Sequence, residues 1–373
     1  MVIGINLMPL SSEQGAGSFR YIKLLLQELG KYNLNEHRFV IYKQKCISKD
    51  YLSIPSNLNC EYIDTPNVGK GLKRILFEQT LFYLYIKKCD VFYSYCSSMP
   101  VFVKAKKVFT LHDVYFLTEK ERYGFLQRTY LKYITLLYIK ISQKILTVSM
   151  YSKNEILSHY KINPEKISIT YNFIIQEDKA SATLEKILDY RKREIDLRRP
   201  FFLYIGNIHP GKNIIRMVEA FNMFNHNKHQ YQLLICGKPA NQGRGIIERI
   251  EKVNDVVYLG YQPRKCVDYL LHQCVSVVLV SLCEGFGIPP LEGISNHKPA
   301  LVSEGTSLPE VIGAAGVCVD PRNVEDISKG YSEIVRNYDS YVIHCDEQLN
   351  KFSSKESVET FLKEIEISPI RNC

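Results

Sequence analysis

VSVVLVSLCEGFGIPPLEG, residues 275–293, reads as a strand, a glycine loop and the start of a helix. Its first six residues form a nearly unbroken, largely β-branched apolar run, the pattern of a strand covered on both faces in a parallel sheet. Gly285 and Gly287 let the backbone turn tightly and come close to a ligand. Pro289 and Pro290 suit a first helical turn, where a missing amide hydrogen costs least. Strand, loop and helix in this order are the unit of a doubly wound α/β domain, whose ligands lie beyond the carboxyl ends of the strands. The unpaired amides at such a helix start, with the helix dipole behind them, offer an anion site that suits a diphosphate. Glu284 stands before the turn and Glu292 about one turn into the helix, so the two carboxylates flank that position and can hold hydroxyl groups at the two ends of an elongated ligand. Two other uses stay open on spacing alone. A carboxylate pair ~5–10 Å apart can hydrolyse a glycosidic bond, and acidic residues near a helix start also simply stabilise it.

The neighbouring sequence repeats the same alternation. PFFLYIG (200–206), YQLLICG (231–237), VVYLG (256–260) and PALVS (299–303) are strands. NIIRMVEAFNMF (213–224), CVDYLLHQC (266–274) and PPLEGISN (289–296) are helices. A similar series fills the first half, with strands VIGINL, RFVIYK, CDVFYSY, KVFTL and KILTVS. Its helices are Phe19 to Leu29, LKRILFEQTLFYLYIKK (72–88) and Arg122 to Ser142. A polar, charged stretch from Gln176 to Pro200 interrupts the pattern. The expected organisation is therefore two Rossmann-like doubly wound α/β domains facing across a cleft: a first domain at 1–175, a linker at 176–199 and a second domain at 200–354. A final helix in 355–373 is expected to return to the first domain.

Charge is uneven along the chain. Residues 1–175 carry 24 Lys/Arg against 13 Asp/Glu, a net +11 within a total of +9, which leaves −2 for residues 176–373. Nucleic acid, anionic lipid, a phosphorylated acceptor or an ordinary solvated face each accounts for a basic half. No helix-turn-helix, zinc or RNP-type signature accompanies it, so no nucleic acid is expected as a partner. The 11 cysteines are scattered without a C-x-x-C pair or zinc spacing, as in a reducing compartment, and no metal site is expected. MVIGINLMPL lacks a basic n-region, and no apolar stretch reaches the length of a bilayer span. The expected location is cytoplasmic, with peripheral attachment to the cytoplasmic face of the inner membrane as the other option.

Four further motifs occur in order: TLHDV (110–114), TVSMYSKNEI (147–156), YIGNIHPGKN (204–213) and, after the glutamate segment, SLPEVIG (307–313). Together with SLCEGFGIPPLEG they resemble glycosyltransferase family 4, the retaining, GT-B-fold, group 1 glycosyltransferases of bacterial polysaccharide synthesis. In that family two glutamates separated by seven residues bracket the nucleotide sugar. The resemblance implies that Glu292 binds the ribose hydroxyls and Glu284 a hydroxyl of the donor sugar, with backbone amides from Phe286, Gly287 and Ile288. Lys212 would neutralise the diphosphate, His112 would meet the sugar near the reacting carbon with Asp113 beside it, and Gly15 would approach the diphosphate, Gly17 serving the turn. Asn207 and Gly211 occupy positions where the family often has an arginine, which makes Arg216 and Arg244 the candidate replacements.

The same resemblance implies transfer of a hexose from a UDP- or GDP-linked donor to a glycan or lipid-linked saccharide, with retention of configuration and no obligatory cofactor. No D-x-D-type acidic pair is present. Lys104, Lys106 and Lys107 precede TLHDV, and Lys120, Arg122, Arg128, Lys132, Lys140 and Lys144 interleave with Tyr123, Phe125, Tyr130, Tyr133 and Tyr138, which suits an anionic membrane surface. An amphipathic helix whose aromatic side is core explains the same pattern. A catalytically idle scaffold of the same fold and a basic nucleic-acid-binding protein are the competing functions.

Overall fold

The computed structural model describes residues 1–12, 17–118, 123–175, 186–226, 229–240 and 242–372. These form two compact units, Met1–Phe173 with Ser353–Cys373, and Ile174–Phe352.

The first unit holds a seven-stranded sheet of β1 (Val2–Asn6), β2 (Arg38–Gln44), β3 (Cys60–Thr65), β4 (Val91–Ser94), β5 (Lys106–Thr110), β6 (Lys144–Thr147) and β7 (Ile167–Ile169). The spatial order is β3-β2-β1-β4-β5-β6-β7. The second unit holds β8 (Phe201–Ile205), β9 (Gln232–Cys236), β10 (Val256–Gly260), β11 (Ser276–Leu279), β12 (Ala300–Ser303) and β13 (Gly316–Val319), in the order β10-β9-β8-β11-β12-β13. Every pairing is parallel. In each sheet the chain winds one way from the first strand and then the other way, so the strand order switches at β1/β4 and at β8/β11. Such switch points open a crevice at the carboxyl ends of the strands.

Central strands match the apolar runs because both of their faces are covered. β11 is buried throughout, as is β12. The three strands missing from the sequence reading, β3 (CEYIDT), β7 (ISI) and β13 (GVCV), lie at sheet edges and are only partly buried, so their sequences stay half polar or very short. The helix read through residues 72–88 is broken. Leu72–Gln79 is helical, Thr80 leaves helical geometry at φ −129 and ψ −84, and Leu81–Leu84 forms a 3₁₀ turn.

The helix Ser354–Glu364 belongs to the first unit, where Val358, Phe361 and Leu362 are buried. Phe361 packs edge-on against Tyr93 with centroids 4.9 Å apart, and Ser357 Oγ donates to the Tyr171 carbonyl at 2.9 Å. Residues 186–199 fall in the second unit, where Ile187, Ile195 and Leu197 pack with Phe201, Leu203 and Leu259 on one face of its sheet. Their apolar side chains give this charged stretch a fixed place despite its composition; residues 176–185 lie outside the described residues. Among the described residues no helix is long and apolar enough to cross a membrane.

Candidate active site

In the second unit the loop after β8 and the loop after β11 meet, because those strands are neighbours at the switch point. The Leu282 amide donates to the Gly211 carbonyl at 2.9 Å. Asn213 fixes the end of the first loop. It adopts a left-handed conformation (φ 57), which asparagine tolerates, and its Nδ2 donates to Val280 O at 3.0 Å and Pro321 O at 2.6 Å. The neighbouring Lys212 is thereby directed at Glu284, and its ammonium forms an ion pair with Glu284 Oε1. Ser281 Oγ donates to the same oxygen at 2.9 Å. Both side chains of the pair keep some exposure, so the pair is reachable by a ligand that competes for the ammonium.

Ser307 ties the glutamate loop to the SLPE segment. Its Oγ lies 2.7 Å from the Glu284 carbonyl and 2.9 Å from that of Phe286, so one hydroxyl hydrogen is shared between them. The Phe286 ring is buried edge-on to Phe352, 5.3 Å between centroids, which leaves its main chain as the part available to a ligand. Gly287 has φ 110, and a Cβ there would lie 2.3 Å from Leu308 Cδ2. Glycine is thus required for both backbone and space. Ile288 opens a helix of seven residues, Ile288–Ile294. A helix this short adds little macrodipole, so the local charge at this site is carried mainly by Lys212.

Glu292 is almost fully buried, at 2% exposure, and forms an ion pair with Arg264, which also holds Asp268 at 2.6 Å. Burial works against the Arg264 charge, but Glu292 and Asp268 outweigh it and raise its pKa. The carboxylate assigned to ribose is therefore already charge-matched, and a hydroxyl donor would share it with the guanidinium rather than meet a bare anion. Arg264 is a cation that the sequence reading missed. Its signal is its place, in the loop that follows β10 and at the first position of the helix Arg264–Gln273. Of the two replacement arginines named above, Arg216 donates to Asn213 Oδ1 at 3.0 Å beside Lys212, and Arg244 is exposed on the helix Gly243–Ile250.

His112 belongs to the first unit, directly after β5 and Leu111. Its Nε2 lies 2.9 Å from the Tyr95 carbonyl, and Tyr21 stands edge-on to the ring at 5.4 Å. A carbonyl can only accept, so Nε2 carries the hydrogen and Nδ1 is left with its lone pair, able to accept from a hydroxyl. Burial lowers the imidazole pKa to about 4, against a smaller upward pull from the Tyr95 carbonyl. The unfolded chain binds this proton more readily than the folded one, so stability is full above about pH 6.5 and falls as the pH drops towards 4, by roughly 3 kcal/mol at most. Denaturant melts of wild type and His112→Asn between pH 7 and 4 check this, and a variant with an unchanged pH slope contradicts it. Asp113 Oδ1 accepts from the Tyr115 amide at 3.2 Å and shapes the loop. Gly15 lies outside the described residues, and Gly17 is the first residue of the helix Gly17–Leu29.

Among the described residues no group of His, Cys, Asp or Glu is arranged to hold a metal ion. The model of the glycosyltransferase family 4 matches residues 17–177, and that of the glycosyl transferases group 1 matches residues 186–353. The chain belongs to the group 1, family 4 glycosyltransferases. Among relatives of this family, the Escherichia coli O-antigen chain mannosyltransferase B is 29% identical over 227 residues, 60% of this chain and 59% of that one. The Salmonella typhimurium O-antigen chain mannosyltransferase RfbU is 26% identical over 57% of this chain and 56% of its own length. The match thus spans somewhat over half the length of these relatives. Among solved structures, a glycosyltransferase from Rickettsia africae superposes with TM-score 0.70 at 19% identity, over 98% of this chain and 97% of that one. Anabaena Alr3699/HepE in complex with UDP and glucose gives 0.69 at 12%, over 97% and 98%. With its two parallel sheets, the family-4 chain has the α/β GT-B fold.

Proposed function

We propose that this protein transfers a hexose from a UDP- or GDP-linked sugar to a glycan or lipid-linked saccharide in surface polysaccharide synthesis, retaining the anomeric configuration. The observation that carries this reading is the meeting of Lys212 and Glu284 at the switch point of the second sheet. An ammonium held by a carboxylate is preorganised but not neutralised for good. When a diphosphate departs, its growing charge competes for the same ammonium, which costs little reorganisation. Glu284 then keeps Ser281 as a partner and accepts a sugar hydroxyl.

In the same reading the second unit binds the nucleotide sugar and the first the acceptor. Glu292, backed by Arg264, receives the ribose hydroxyls, and the amides of Phe286, Gly287 and Ile288 approach the diphosphate. His112, neutral and unprotonated at Nδ1, accepts a hydroxyl hydrogen from the sugar. Retention is consistent with front-face attack, because the departing phosphate oxygen can take the acceptor proton; among the described residues no carboxylate is placed as a covalent nucleophile. The names of the relatives favour mannose as the sugar.

A thermal-shift panel of UDP- and GDP-linked glucose, galactose, mannose and N-acetylhexosamines tests the donor. A true donor at a hundred times its Kd stabilises the native state by about 2.7 kcal/mol, a rise in Tm of roughly 5–10 °C for a unit of this size. A flat panel, together with no release of nucleoside diphosphate on incubation with any of these sugars, would defeat the proposal.

A further inference from the structure

The helix Phe125–Ile141 does not bury its aromatic side. Tyr138 and Ile139 face the core, but Leu126, Tyr130, Tyr133 and Leu137, spaced as one helical stripe, are exposed. A second helix, Leu72–Gln79, touches it. Gln79 Nε2 donates to Tyr138 Oη at 3.3 Å, and Tyr130 lies within electrostatic reach of Arg74 and Glu78. On that second helix Leu72 and Leu76 are exposed, one turn apart. The chain then continues into the 3₁₀ turn, where Leu84 is 82% exposed and Tyr83 packs on Phe102, itself 76% exposed. Phe125 at 77% and Leu126 at 82% mark the other end. So many large apolar side chains in water on adjoining elements need a reason.

The charges around them indicate what covers them. Residues 70–88, 101–107 and 125–141 contain 11 Lys/Arg and a single acid, Glu78. Glu78 is fully buried and paired with Arg74. Lys70, Lys73, Lys104, Lys132 and Lys140 have no acidic partner among the described residues. A second copy of the chain would bring like charges together across this face, and a nucleic acid would leave the leucines unsatisfied. An anionic lipid surface satisfies both features.

We infer that this face of the first unit docks on an anionic membrane, with Leu84, Phe102, Phe125 and Leu126 entering the boundary between headgroups and acyl chains and the lysines resting on the headgroups. The inference deepens the proposed function, on which it rests for its meaning, since it makes the acceptor a membrane-borne saccharide.

Flotation of the full chain with vesicles of phosphatidylglycerol and phosphatidylethanolamine (3:7) at low salt tests it, with phosphatidylcholine vesicles as the neutral control. Wild type is expected to float with the anionic vesicles and to be released by salt. L84S/F102S and F125S/L126S, all at exposed positions, are each expected to weaken partitioning about tenfold or more. K73Q/K104Q/K132Q is expected to weaken it by tenfold to about a hundredfold. Absence of wild-type flotation, or flotation unchanged in both apolar pairs, overturns the inference. So does a wild-type dimer in solution that either apolar pair converts to monomer, because a second copy then covers the face. The nucleotide-sugar thermal shift is measured on the same samples. A retained shift without flotation rejects docking alone, and flotation without any shift rejects the donor reading alone.

Discussion

Lys212→Ala is expected to lower kcat by about 10²–10³ with a smaller change in KM. The ammonium does little for a ground-state diphosphate that water can also solvate, and most for the charge that builds as the glycosidic bond breaks. Lys212→Arg restores charge but not the compact geometry with which one ammonium meets Glu284 Oε1, so it should recover only part of the rate. Glu284→Gln keeps a carbonyl oxygen for the Ser281 hydroxyl while removing the charge that positions Lys212. It is expected to lose comparable activity with little loss of stability, because both side chains retain solvent contact. Steady-state release of nucleoside diphosphate, with melting curves as the folding control, reads these outcomes. If Lys212→Ala turns over at the wild-type rate, leaving-group stabilisation by this residue is wrong.

Gly287→Ala is expected to damage both stability and donor binding. A non-glycine residue at φ 110 costs about 1–3 kcal/mol, and its Cβ, 2.3 Å from Leu308 Cδ2, must displace a fully buried leucine at a further cost of about 1–3 kcal/mol. For a unit of this size the sum of about 2–6 kcal/mol lowers Tm by roughly 4–24 °C. The same shift moves the amides of Phe286 to Ile288, so affinity for the nucleotide sugar should fall even in samples that remain folded. Gly285→Ala is a useful comparison in the same loop, since glycine at 287 is the one with both a left-handed φ and a blocked Cβ direction. A melting curve for Gly287→Ala superimposable on wild type would show that the loop adapts, and that glycine is not needed there.

The apolar runs at Val277 to Val280, Phe201 to Ile205 and Val2 to Asn6 already imply parallel strands covered on both sides, and the glycine-proline loop at 285–290 marks where one strand gives way to a helix. These features are legible because burial of a central strand is a local demand on consecutive residues. The edge strands β3, β7 and β13 escape such a reading because only part of their surface is covered. So does the break at Thr80, where a continuous apolar pattern hides a change of helix type.

The amino-acid order alone thus established two doubly wound halves and the strand, glycine loop and helix start of residues 275–293. The partnerships came from the fold: Lys212 with Glu284 across 72 positions, Arg264 with Glu292 across 28, and the outward turn of Leu126 and Tyr133 on a helix whose aromatic side could equally have been core. Periodicity records how much of a segment is covered, whereas which strand lies beside which, and which helix face is left without a neighbour, depends on contacts between segments far apart in the chain.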